Sequence, residues 1–124
     1  MLNQRELDTI AILARSADPL TASQIVEKQR GLTQSTVTAV LRKLLRLNMV
    51  EVSGVTHAGK VLSRQYVVTQ SGIDAVTVYF EDIYQMVNSI LSAKDIMESI
   101  FKDTPPTVAD IKDIKKLLKS ASQE

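Results

Sequence analysis

Apolar residues recur along the first third of the chain at helical spacing, broken twice by turn residues. Leu7, Ile10, Leu13 and Ala14 make one stripe, and Asn3 followed by Glu6 has the spacing of a capping box, so a first helix is predicted from Asn3 to about Arg15. Asp18-Pro19 ends it, because the residue before a proline is held out of the α region. Thr21 with Gln24 repeats the cap spacing and predicts a short second helix that turns Ala22, Ile25 and Val26 inward and stops near Gly31. A third helix follows after only a turn. Thr33 is its N-cap, Val37, Val40, Leu41, Leu44 and Leu47 its core stripe, and Asn48 suits a left-handed residue at its end.

Beyond it the period changes to two. Met49-Val50-Glu51-Val52 reads as a strand, Ser53 to about Ser63 as a long loop rich in Gly, Ser and Lys, and Arg64 to Val68 as a returning strand. From Gly72 the pattern is helical again. Ile73, Val76, Phe80, Ile83, Val87 and Ile90 are spaced 3, 4, 3, 4 and 3, a coiled-coil-like seam that requires a partner surface. A shorter helix is predicted from Ala93 to Lys102, with Ile96, Met97, Ile100 and Phe101 apolar. After Thr104-Pro105-Pro106, Thr107 with Asp110 opens a last helix whose stripe is Val108, Ile111, Ile114, Leu117 and Leu118.

The expected fold class is therefore mainly α with a small β-hairpin: a winged helix-turn-helix followed by a helical dimerisation region. The expected division places the DNA-binding domain at 1–71 and the dimerisation region at 72–124. The 124 residues leave no room for a third unit. Composition adds exclusions. With no cysteine there is no disulfide framework, thiolate metal site or cysteine nucleophile. The N-terminal residues lack the charged-then-apolar order of a signal peptide, and no apolar run approaches the ~20 residues of a membrane span, so a cytoplasmic location without a membrane partner is expected. The four glycines are scattered, and the sole histidine, His57, lies in the predicted loop, where a surface role is expected. No enzyme, metal site or cofactor is expected.

Charge separates the two parts. Residues 1–72 carry nine Lys or Arg and five Asp or Glu, a surplus of +4, whereas 73–124 carry six and nine, a deficit of −3. A basic head on an acidic tail suits nucleic-acid binding. On the third helix, Ser35, Thr38, Ala39, Arg42 and Arg46 fall at i, i+3, i+4, i+7 and i+11 and share the side opposite the core stripe. Small hydroxyl residues allow close approach to a groove floor, and arginine can pair with guanine or hold phosphate. With Thr33 and Gln34 at the helix start and Lys60 and Arg64 on the hairpin, these residues form the expected DNA-binding set. The expected dimer interface combines Ile73, Val76, Phe80, Ile83, Val87 and Ile90 with Ile100, Phe101, Ile111, Ile114 and Leu118. A protein-binding winged-helix adaptor without sequence-specific DNA binding is the alternative.

The order and spacing of several stretches are similar to the BlaI/MecI family, the penicillinase and methicillin-resistance repressors. They are Leu20-Thr21-Ala22-Ser23-Gln24-Ile25-Val26, Ser35 through Leu44, the strand bearing Tyr66, and Ile100-Phe101 leading into Val108 through Ile114. The resemblance runs almost end to end. It implies a homodimeric repressor on a palindromic double-stranded operator, with the recognition helix at 34–47 and the dimer-forming tail at 73–121. In that family an inducer acts through a proteolytic cut between Asn and Phe, or through metal at a cysteine cluster. Here Ile100 precedes Phe101 and no cysteine exists, so the inducer or protease is left open.

Overall fold

The computed structural model describes residues 2–122. Its elements are α1 (Gln4–Arg15), α2 (Ala22–Lys28), α3 (Gln34–Arg46), β1 (Val50–Ala58), β2 (Val61–Val68), α4 (Gln70–Val87), α5 (Ala93–Asp103) and α6 (Val108–Ala121). Six helices and one antiparallel hairpin make the fold mainly α with a small β component, as expected.

The helix starts lie where side chains can satisfy the first backbone N–H groups. Asn3 and Glu6, Thr21 and Gln24, and Thr107 and Asp110 form reciprocal capping boxes at α1, α2 and α6. A fourth box at Ser92 and Asp95 opens α5. The Thr107 amide and hydroxyl donate to the Asp110 carboxylate and hold its pKa below the ordinary value. Asn48 adopts φ 58°, ending α3 in the left-handed conformation that asparagine tolerates.

Packing divides the chain into two compact units, Met1–Ile83 and Tyr84–Glu124. In the first unit, Ile10 and Leu13 of α1, Ile25 of α2, Val37, Leu41 and Leu44 of α3, and Val50 of β1 close on one another. Ile12 also lies in this core, while Ala14, expected inside, is exposed. Leu47, expected as the last rung of the α3 stripe, is 48% exposed: it is the C-cap, where the backbone leaves helical geometry and the periodicity no longer sets direction.

The hairpin departs from the expected long loop. Pairing continues through Thr56↔Ser63, His57↔Leu62 and Ala58↔Val61, leaving Gly59 and Lys60 as a two-residue tip. The β-branched Val55, Thr56 and Val61 favour extended backbone, and Gly59 takes φ 66°, which a tight hairpin turn requires. A register shift between Val52 and Gly54 accommodates Ser53 as a bulge.

Thr69 fastens α4 to the first unit. Its amide donates to the Met49 carbonyl at 3.0 Å, its hydroxyl donates to the Asn48 carbonyl at 2.6 Å, and the same hydroxyl accepts from the Gly72 amide at 3.1 Å. Gly72 is buried where α4 crosses the chain around Met49. A Cβ there would collide with the Met49 carbonyl and lie 2.7 Å from Val68 Cγ2. Val76, expected in the dimer seam, is partly buried against the core of its own unit. Ile90, expected on the same helix, lies beyond it in a turn and is exposed, because α4 stops at Val87. Asn88 and Ser89 are weak helix formers, and the Ser92–Asp95 box restarts the chain as α5.

In the second unit, α5 and α6 carry the expected apolar stripes, yet neither helix has a buried residue. Met97, Ile100, Val108, Ile111, Leu117 and Leu118 all remain exposed.

Glu6 is the buried acid of the core. Its carboxylate accepts from the Asn3 amide at 3.0 Å and pairs with Lys43 Nζ at 2.7 Å, tying the start of α1 to α3. Burial pushes its pKa up, but the hydrogen bond from Lys43, the Asn3 amide and the lysine charge together outweigh it and hold the group below the ordinary value of 4.5. A depressed folded-state pKa stabilises above the unfolded value and loses that contribution as pH falls through the folded value. Glu6→Gln is therefore expected to cost about 1 kcal/mol in urea unfolding at pH 7, with the gap to the parent closing only below pH 4.5. Gly72→Ala is expected to cost about 2 kcal/mol in the same measurement, since the added methyl meets backbone rather than a flexible side chain.

Candidate nucleic-acid interface

The α2–turn–α3 segment holds one face of α3 outward by burying the other. Val37, Leu41 and Leu44 are buried, and Leu32 in the turn is buried as well, so the turn is pinned from below. Gly31 supplies φ 91° at the bend. The Thr33 hydroxyl accepts from the Thr36 amide at 3.2 Å and caps α3, donating in turn to Thr36 Oγ1 at 2.9 Å. Ser35 Oγ lies 3.4 Å from Thr33 Oγ1, and Ser23 Oγ of α2 donates to Gln34 Oε1 at 3.3 Å.

The outward face is the predicted one. Gln34, Ser35, Thr38, Ala39, Arg42 and Arg46 are exposed. Lys43, one position from Arg42, turns the other way to Glu6. Arg42 and Arg46 take part in none of the ion pairs among the described residues, so both guanidinium groups are available to an anion. The 13-residue helix is roughly 20 Å long and, at about 10 Å across, fits a major groove about 12 Å wide.

The hairpin is fixed beside this helix by backbone. Leu20, in the link between α1 and α2, exchanges two hydrogen bonds with Tyr66 of β2, at 3.1 and 2.8 Å. This bridge carries Arg64 to a shallow depression lined also by Ser23, Gln34 and Ser63. Arg64 thus joins the start of α3, whereas Lys60 stands apart at the hairpin tip. His57 faces Leu62 across the strands and is exposed. Among the described residues no group of three His, Cys, Asp or Glu side chains could hold a metal ion.

Two contributors escaped the sequence pattern. Ser23 and Ser63 come together only through the Leu20–Tyr66 bridge, and no local spacing announces it. A stronger charge signal was present in a narrower window: residues 28–73 contain seven Lys or Arg and one acidic residue, Glu51. Over residues 1–72 that run is diluted by the carboxylates of Glu6, Asp8, Asp18 and Glu27.

Three helices with a tight turn before the third, followed by a hairpin bridged to the first inter-helix link, define a winged helix-turn-helix. Solved structures share the fold. RosR-S1 matches with TM-score 0.58 at 17% identity over 82% of this chain and 90% of that one. A point mutant of MepR from S. aureus, bound to an oligodeoxyribonucleotide, matches with TM-score 0.52 at 23% identity over 98% and 80%. The diamide-treated YodB of B. subtilis matches with TM-score 0.53 at 18% identity over 73% and 84%. No family model and no curated protein matches the sequence. None of the described helices is long and apolar enough to cross a membrane.

If Arg64 and Gln34 face a common ligand, Arg64→Ala should weaken binding to a duplex about tenfold at low salt, measured by fluorescence anisotropy, and leave the unfolding midpoint unchanged because the side chain is exposed.

Proposed function

We propose that this protein is a transcriptional regulator of the repressor type that binds a palindromic DNA operator as a homodimer. The observation that carries the reading is the free outer face of α3. Hydroxyls and a small side chain stand at its N-terminal half, two arginines that join no ion pair among the described residues stand further along, and no element of the described first unit covers them. That order suits a helix whose start meets base edges and whose later cations meet phosphate or guanine. The basic run from 28 to 73 supplies the long-range attraction. The presence of the same fold in a structure holding an oligodeoxyribonucleotide supports the reading.

The functional division assigns DNA binding to 1–71 and dimerisation to 72–124. It places Ile73, Phe80, Ile83 and Val87 of α4, Ile100 and Phe101 of α5, and Ile111, Ile114 and Leu118 of α6 at the subunit contact. The turn residue Ile90 and the partly buried Val76 flank it. Support comes from the extent of apolar side chain that one copy leaves to water: Phe80 is 54% exposed and Leu118 62%. Within the winged-helix regulators, the order of motifs from Leu20 to Ile114 supports kinship with the BlaI/MecI repressors; the matched folds belong to other regulators.

The test is operator selection from a random duplex pool followed by titration of variants. Arg42→Ala and Thr38→Ala are each expected to weaken the selected site by about tenfold to a hundredfold while leaving non-specific binding nearly unchanged. Lys60→Ala is expected to weaken all sequences alike and reduce the salt slope by about one. If none of the three alters binding, or if duplex binding shows no salt dependence, the adaptor reading replaces this one.

A further inference from the structure

The hairpin has an aliphatic side that its own unit leaves uncovered. Cross-strand partners share a face of the ladder, so Val50 with Val68 at the base, Val55 with Arg64 midway and His57 with Leu62 near the tip lie on one side of the two strands. At the base that side closes on the core: Val50 is buried and Val68 packs against the same cluster. Farther out than the Leu20–Tyr66 bridge it goes on as Val55, 57% exposed, and Leu62, 64% exposed. These two stand diagonally across the strands, close enough to form one apolar strip. From Val52 to Ile73 the chain has no acidic residue, and its only formal charges are Lys60 and Arg64. Neither joins an ion pair among the described residues.

An apolar strip bracketed by cations alone fits a polyanion with apolar walls. Arg64 also lines the depression it shares with Ser23 and Gln34, so the strip is continuous with the face offered by the start of α3. Residues 60–65 extend beyond Tyr66, and at about 3.3 Å each they reach roughly 20 Å. A minor groove lies about half of a ~34 Å helical turn from the centre of the major groove beside it, which is within that reach. We infer that Val55 and Leu62 are specificity-determining residues: they seat the hairpin against the sugar walls of the minor groove that flanks the α3 contact, with the two cations on the bordering phosphates. The floor of that groove shows only acceptors at A·T pairs, whereas guanine adds an amino group where the aliphatic side chains would lie. Flanking A·T pairs are therefore preferred. The inference rests on the DNA-binding reading above and adds a second groove and the side chains that enter it.

Anisotropy titration of the full chain on the selected operator, with the flanking pairs made A·T, G·C or inosine·C, tests the inference. Inosine keeps the major-groove edge of guanine and lacks its minor-groove amino group. The parent should bind A·T and inosine·C flanks alike and G·C flanks about tenfold more weakly. Val55→Thr with Leu62→Thr keeps β-branched side chains suited to extended backbone, so circular dichroism should be unchanged. That variant should bind A·T flanks about tenfold more weakly than the parent and should no longer distinguish the three flanks. A variant as discriminating as the parent, or a parent that ignores the flanks or treats inosine·C as G·C, would overturn the assignment of the strip. The α3 reading would then still stand on the effect of Arg42→Ala. A parent without salt-dependent duplex binding would instead overturn the DNA-binding reading itself.

Discussion

The structure turns on which way α3 faces. Its aliphatic stripe is anchored by Val37, Leu41 and Leu44 packing against α1, α2 and β1, and a helix with one side so anchored has no freedom to rotate. Burying three such side chains stabilises the arrangement by several kcal/mol, roughly 1.5–3 for each. Thr33 at one end and Asn48 at the other stop the helix where the anchored stripe stops. The Glu6–Lys43 pair adds direction: it draws a lysine of α3 toward α1, away from the face that carries Arg42 and Arg46. Exposure of Ser35, Thr38 and Arg42 follows from what is buried on the other side.

The hairpin depends on that same helix. Met49 and Val50 leave α3 directly through the left-handed Asn48, so the start of β1 is set by where α3 ends. The return strand is then caught by Leu20, which fixes Arg64 near Ser23 and Gln34. A long, loosely held loop would carry a cation too, but it would spend conformational entropy to place it; a paired hairpin has its strands ordered before any ligand arrives. Thr69 and Gly72 carry the same restraint into α4, and Gly72 does so by letting backbone approach backbone where a side chain could not fit.

The tail follows different physics. Its last two helices, α5 and α6, start at well-formed caps and carry regular apolar stripes, yet they bury none of their residues. Helices of 11 and 14 residues are marginal by themselves in water, since nucleation and chain entropy oppose them. A second copy that supplies the missing apolar surface would make folding of the tail and dimerisation one event.

Most local decisions were legible from residue order alone. Capping boxes at Asn3, Thr21 and Thr107, the end of α3 at Asn48, and the outward face from Ser35 to Arg46 depend on contacts within one or two helical turns, and such contacts are written in sequence spacing. The box at Ser92 and Asp95 was equally local, and continuing the seam to Ile90 obscured it. What only the tertiary structure decided depends on residues far apart in the chain. The hairpin zips to a two-residue tip because cross-strand pairs outweigh the loop-like composition of 53–63, and Ser23 meets Arg64 because Leu20 bridges to Tyr66. Glu6 lies inside because Lys43 waits for it, and Val76 is partly buried against the core of its own unit. Periodicity states that a side chain seeks an apolar or charged neighbour; which neighbour it finds is set by how the elements close on one another.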